Sequence, residues 1–104
     1  MAETIYTLGV WRVRPESEAN FIAAWKALGL IFAELPAPPN GKGTLIQSLT
    51  EPTLFYSFGP WQSVEAVQAM RQNPQAQAGI NRLRELCTEA VPGSFRLVAE
   101  TSPR

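Results

Sequence analysis

The chain reads as an α+β protein: a ferredoxin-like, split βαβ unit whose four-stranded antiparallel sheet carries its helices on one face. Three observations predict this. β-branched and aromatic runs alternate with apolar stripes at helical spacing in the order β-α-β-β-α-β. Pro, Gly and Asn fall between the runs, where turns are needed. The length of 104 residues leaves room for a single domain, residues 1–104.

Strand one covers residues 4–13 and stops at Arg14-Pro15, because proline breaks a ladder yet suits a first helical turn. A helix follows over about 16–35. Its apolar residues Phe21, Trp25, Leu28, Phe32 and Leu35 recur at spacings of four, three, four and three. Glu16 and Glu18 put carboxylates at its positive end, and the Pro36 to Gly41 segment terminates it. Residues 43–49 and 54–59 are strands two and three, a hairpin joined by Thr50-Glu51-Pro52-Thr53. Ser63 N-caps a short helix that runs to about Gln72 with Val64, Val67 and Met70 inward. Asn73 as cap and Pro74 as first residue restart a helix predicted to reach about Ala90, its stripe being Ala76, Ile80, Leu83, Cys87 and Ala90. Pro92-Gly93 ends that helix, and residues 94–101 supply the last strand.

The exposed face of such a sheet is usually polar. Here Tyr6, Leu8 and Val10 on one side of strand one oppose Ile5, Trp11 and Val13 on the other, and strand three sets Leu54, Tyr56 and Phe58 against Phe55. A chain this small buries only about 60% of its unfolded surface, so a second copy is the simplest cover. A homodimer through the open sheet face is expected.

Nine basic and nine acidic residues cancel, and the basic ones never cluster, so neither nucleic acid nor a membrane surface is an expected partner. The longest helical apolar stretch is interrupted by Lys26 and Glu34, short of the roughly 20 apolar residues that span a bilayer. One cysteine forms no internal disulfide, and Met1-Ala2-Glu3-Thr4 has no basic leader character, which points to a reduced, cytoplasmic setting. The chain has no histidine, and all nine acids are Glu. That removes the commonest general base, the usual ligand of zinc, copper and iron, and the partner of a serine or cysteine nucleophile. No metal site and no cofactor are expected. Asn40-Gly41-Lys42-Gly43-Thr44 is not a phosphate loop, because Pro36 stands where a glycine is required and Gly43 separates the lysine from the hydroxyl. Ser57, in Phe55-Tyr56-Ser57-Phe58-Gly59, lacks the first glycine of a nucleophile elbow.

The string from Gly43 through Trp61, with Ser48, Pro52 and Phe58-Gly59-Pro60-Trp61 opening the next helix, resembles the antibiotic biosynthesis monooxygenase family. The likeness extends to Trp11-Arg12-Val13, to Phe21 and Trp25, and to Leu83-Arg84-Glu85-Leu86-Cys87, most of the chain, without an invariant catalytic signature. The resemblance implies a dimeric α+β barrel in which each protomer keeps a pocket between its sheet and its helices. It further implies cofactor-independent oxygenation of electron-rich polycyclic aromatics, or oxidative haem breakdown, or no activity. In the first branch a phenol-type group is deprotonated, the anion reduces O₂, and the protein supplies shape, hydrogen bonds and exclusion of water. The haem branch implies a histidine on the iron, which this chain lacks.

Trp61, after a Gly-Pro corner, is placed to donate its indole N–H to a substrate oxygen, with core packing as the competing role. Tyr56 offers a phenol to the pocket as donor or proton acceptor. Phe55 and Ser57 then face the partner sheet, and a one-residue change of register exchanges these roles and makes Ser57 the pocket residue. Arg71 is positioned to hold a phenolate or carboxylate, or else to complement its helix C-terminus. Trp61, Tyr56 and Arg71 are the candidate catalytic residues. Phe21, Trp25 and Phe32 form a candidate apolar wall, while Gln47 and Ser48, the polar interruptions of strand two, join Ser57 as substrate contacts. Cys87 reads as a small hydrophobe and Glu51 as a solvated loop residue. The leading reading is a cofactor-independent monooxygenase acting on an apolar aromatic of polyketide or quinol type. The alternative is a non-catalytic ligand-binding or stress-related barrel protein, and an isomerase would need a base that the sequence does not offer.

Overall fold

The computed structural model describes residues 3–103, so Met1 and Ala2 of the opening segment, and Arg104, lie outside it. The elements are β1 (Ile5–Val13), α1 (Glu18–Ala33), β2 (Thr44–Gln47), β3 (Leu54–Trp61), α2 (Val64–Gln72), α3 (Pro74–Glu85) and β4 (Cys87–Arg96). They form one antiparallel sheet in the order β2-β3-β1-β4, the expected ferredoxin-like arrangement. Among the described residues no helix is long and apolar enough to cross a membrane.

Side chains alternate across a strand, so the ladder decides which of them the helices cover. Ile5, Thr7, Gly9, Trp11 and Val13 share the helix side of β1, and the pairs Trp11↔Phe55, Gly9↔Ser57 and Ile5↔Trp61 bring the odd-numbered residues of β3 to the same side. Two clusters form there. One joins Trp11, Phe21, Leu28, Phe55 and Leu83; the other joins Ile5, Trp61, Val67, Met70 and Ala76. The shortest dimension, 19 Å, is that of one sheet plus one helix layer at about 10 Å each. None of the described elements covers the other side.

Details differ from the sequence reading: α1 ends at Ala33, β2 is shorter than the predicted 43–49 and β3 runs on to Trp61. Glu16 adopts a left-handed backbone (φ 72) in the turn after β1, so only Glu18 lies in the first turn of α1. Val64, the first residue of α2, is exposed, and Ala66 is buried in its place beside Val67 and Met70. The caps hold as read, with Ser63 Oγ accepting from the Ala66 N–H and Asn73 Oδ1 from the Ala76 N–H.

The largest difference is at the end of α3, which stops at Glu85 and not near Ala90. Cys87 and Ala90 continue the helical stripe by coincidence of spacing; they pair instead with Val13 and Trp11, on either side of an irregularity at Arg12/Val13. β4 therefore begins seven residues before the predicted 94, at Cys87, and ends at Arg96, short of the predicted 101. Pro92 and Gly93 lie inside this strand, which is possible because β4 is a sheet edge, where proline need break no ladder bond.

Gly9 is required by a close approach. A Cβ there would lie 2.6 Å from Trp11 Nε1 and 2.8 Å from its Cε2, because the indole folds back over the strand. Gly9→Ala should push the ring from its seat and destabilise the fold by about 1–3 kcal/mol. For a domain of this size that lowers Tm by about 4–8 °C per kcal/mol, readable by thermal melting. An unchanged Tm would show that the ring has room to move.

Candidate functional site

A cavity of about 620 Å³ lies between the sheet and the helices, within the roughly 300–1,000 Å³ range of small-molecule sites. Thr7, Gly9 and Trp11 of β1 and Ser57, Gly59 and Trp61 of β3 form its floor. Trp25, Leu28 and Phe32 of α1 and Ile80 and Leu83 of α3 form apolar walls. The loop through Pro38, Pro39, Gly41 and Gly43 makes one rim. That loop lies directly on β3: a Cβ on Gly59 would come within 3.2 Å of Gly43 Cα, and the Asn40 N–H donates to the Pro60 carbonyl at 3.3 Å.

The floor repeats one pattern on two antiparallel strands. Thr7-Leu8-Gly9-Val10-Trp11 and Ser57-Phe58-Gly59-Pro60-Trp61 each place a hydroxyl, a glycine and a tryptophan at alternate positions. With Thr7 opposite Gly59 and Gly9 opposite Ser57, the two patterns are related by a local two-fold axis through the sheet. Each tryptophan bonds the hydroxyl of the other strand. Trp11 Nε1–H donates to Ser57 Oγ at 2.9 Å, and Trp61 Nε1–H donates to Thr7 Oγ1 at 3.0 Å. A hydroxyl that accepts one such bond still has its own O–H to donate. Phe32 meets Trp61 edge-on, with centroids 5.2 Å apart, and fixes the ring from above.

The titratable residues along the cavity are Lys26, Arg71 and Arg84, all cationic. Arg71 Nη2 donates to Ser94 Oγ at 2.9 Å, and its backbone carbonyl accepts from Gln77 Nε2 at 2.9 Å, which ties the end of α2 to α3 and β4. Among the described residues, the ion pairs involve Arg12, Arg82 and Arg96, so Lys26, Arg71 and Arg84 face the cavity without a carboxylate partner. The cavity is positively biased and its walls are apolar. Among the described residues no three of His, Cys, Asp or Glu come together as a metal site.

No family model matches the chain. No curated protein matches it either. Solved structures do: SnoaB, a cofactor-independent oxygenase from Streptomyces nogalater, superposes with a TM-score of 0.83 at 19% identity, covering 99% of this chain and 100% of that one. A Bordetella bronchiseptica protein provisionally named an antibiotic biosynthesis monooxygenase gives 0.80 at 20% identity, over 93% of this chain and 99% of that one. A conserved protein from Methanosarcina mazei gives 0.76 at 18% identity, over 91% and 93%. This chain has the antibiotic biosynthesis monooxygenase fold.

Within that fold the structure gathers five of the nine candidate residues around the cavity: Trp61, Arg71, Trp25, Phe32 and Ser57. Trp61, 1% exposed, has its N–H already bonded to Thr7 and so has no free donor for a substrate oxygen. Four candidates lie elsewhere. Tyr56 stands on the opposite sheet face, opposite Val10 and Ile46, because pocket parity belongs to Phe55 and Ser57. Phe21 is fully buried between Trp11 and Phe55, with ring centroids at 5.6 and 5.2 Å, and does not reach the cavity. Gln47 and Ser48 serve the β2–β3 turn: Gln47 Nε2 donates to the Pro52 carbonyl, and Ser48 Oγ accepts from the N–H groups of Thr50 and Glu51. Polar side chains at a strand end find loose turn backbone before they find a ligand.

Cys87 lies in the core against Val13, and burial pushes its thiol up while Arg14 and Arg84 pull the other way. Glu51 pairs with Arg12 at 3.0 Å on the surface. The sequence reading missed Thr7, Trp11, Lys26 and Arg84. The repeated hydroxyl, glycine and tryptophan spacing is the signal that marks the first two.

Proposed function

We propose that this chain is a cofactor-independent monooxygenase-like enzyme that oxidises an electron-rich aromatic of polyketide or quinol type in this cavity, as a single-domain cytoplasmic homodimer. The observation that carries the reading is the cavity's make-up: aromatic walls, two hydroxyls on the floor, and titratable groups that are all cations. Such a site favours the anion of a planar, weakly acidic aromatic. Trp25 and Phe32 take its faces, the hydroxyls of Thr7 and Ser57 hydrogen-bond its oxygens, and Arg71, Arg84 and Lys26 supply the positive field. Trp61 acts by holding Thr7. Water exclusion by the walls strengthens each of these interactions.

The substrate carries the chemistry. A ring CH₂ flanked by phenol and carbonyl groups loses a proton to solvent, and its anion passes electrons to O₂. One oxygen atom becomes the new C=O, and the other leaves as water with the two hydrogens of the CH₂. Among the described residues no carboxylate or phenol side chain lines the cavity to take the proton, and this specific feature favours, as second reading, a binding protein that holds such an anion without turning it over.

Oxygen uptake by purified protein over a panel of anthrones, quinols and naphthols separates the two. Uptake that requires the protein and falls about a hundredfold in Ser57→Ala, at a melting temperature that still leaves it folded, supports the oxygenase. Tight binding with no uptake supports the second reading.

The dimer rests on the uncovered sheet face. Tyr6, Leu8, Val10, Ile46, Tyr56 and Phe58 lie there together, with Val91 and Phe95 52% and 54% exposed beside them. Contiguous apolar surface of this kind marks an interface. Sedimentation equilibrium should give twice the 11.5 kDa chain mass, and Leu8→Arg should return it to one copy. A wild-type monomer at micromolar concentration would refute the dimer.

A further inference from the structure

We infer that the β4 end of the cavity is a carboxylate subsite, with Arg71 as the group that binds the anion and Ser94 as the residue that positions it. The ligand is then an apolar ring system that carries a carboxylic acid at one end. The inference rests on the reading of the cavity as a small-molecule site and adds a ligand group that the ring chemistry does not require.

The two ends of the cavity differ. It reaches across the sheet from β3 through β1 to β4, two strand spacings or about 10 Å. Aromatic rings crowd the β3 end, where a Cβ on Gly43 would touch the Trp25 ring at 3.5 Å and where Phe32 meets Trp61. Arg71, Pro92 and Gly93 line the β4 end. Arg71 is tied at both its side chain and its backbone: Nη2 donates to Ser94 Oγ at 2.9 Å, and the carbonyl accepts from Gln77 Nε2 at 2.9 Å. Ser94 pairs with Thr7, a cavity residue on the helix side of the sheet, and directly opposed side chains have Cβ atoms about 4.5–5.5 Å apart. The Ser94 bond therefore draws the guanidinium over the sheet to the edge of the cavity.

A guanidinium offers two forks of N–H donors, and Nη2 contributes one hydrogen to each. Spending one on Ser94 leaves the other fork whole, and a whole fork matches the two oxygens of a carboxylate. Among the described residues no carboxylate pairs with Arg71, and none lines the cavity to compete for it. Arg84, from α3, adds to the positive field. Arg71 and Ser94 are both exposed, so the bound anion keeps part of its hydration while the ring goes under the helices. That division avoids the cost of burying a charge.

The test is a pair of calorimetric titrations at low salt, with 4-(2-naphthyl)butanoate and with 4-(2-naphthyl)butan-1-ol, the same ring and tether without the charge. Wild type should bind the acid about five- to tenfold tighter than the alcohol. Arg71→Gln should bring the two affinities together and leave that of the alcohol unchanged. Arg71→Lys, which keeps the charge and loses the fork, should lower the acid preference about threefold. Ser94→Ala should lower it about twofold, and Ser94→Thr, which keeps a hydroxyl, should retain it. Equal affinity for the two probes in wild type, or an intact acid preference in Arg71→Gln, overturns the subsite and leaves the cavity standing. A full preference in Ser94→Ala overturns the positioning role. Failure to bind either probe overturns the subsite along with the reading of the cavity.

Discussion

A buried indole N–H must find an acceptor, and the structure is organised around meeting that demand twice. Trp11 and Trp61 lie under the helix layer, 8% and 1% exposed, and each reaches across to a hydroxyl on the neighbouring strand. The bonds reinforce the register of β1 against β3, because a one-residue slip of either strand turns that strand's ring to the open face and breaks both. They also require the glycines. Gly9 makes room for the Trp11 ring, and Gly59 lets the 41–43 loop rest on the sheet.

The cavity's charge decides what it can stabilise. A phenol ordinarily ionises near pH 10, and moving it by one unit takes about 1.4 kcal/mol. A hydrogen bond from a floor hydroxyl to a phenolate oxygen and the positive field of Arg71, Arg84 and Lys26 both favour the anion, against the apolar walls, which disfavour it. On the proposed reading a dedicated base is unnecessary: the anion is stabilised and its proton goes to water.

Most of the fold is legible in the sequence, because stripe spacing, caps and turn residues agree with one another. The split βαβ order, the Ser63 and Asn73 caps and the two-sided apolar strands all appear in the structure as read. The end of α3 does not. Cys87 and Ala90 fit helical spacing and strand pairing equally well, and only the partner strand, invisible in the local pattern, decides between them. The site shows the same division. Trp25, Phe32 and Trp61 follow from aromatic stripes and corners, whereas the choice between Tyr56 and Ser57 is a question of parity that one buried neighbour, Phe55, settles. Gln47 and Ser48 fail as ligand contacts because turn backbone claims them.

The most direct test of the account is a crystal structure of the protein with anthraquinone-2-sulfonate bound. The account predicts the ring in the cavity between the α1 aromatics and the sheet, with a carbonyl oxygen in contact with Thr7 Oγ1 or Ser57 Oγ. A ligand seated on the open sheet face, or in the cavity with neither hydroxyl in contact, would contradict it.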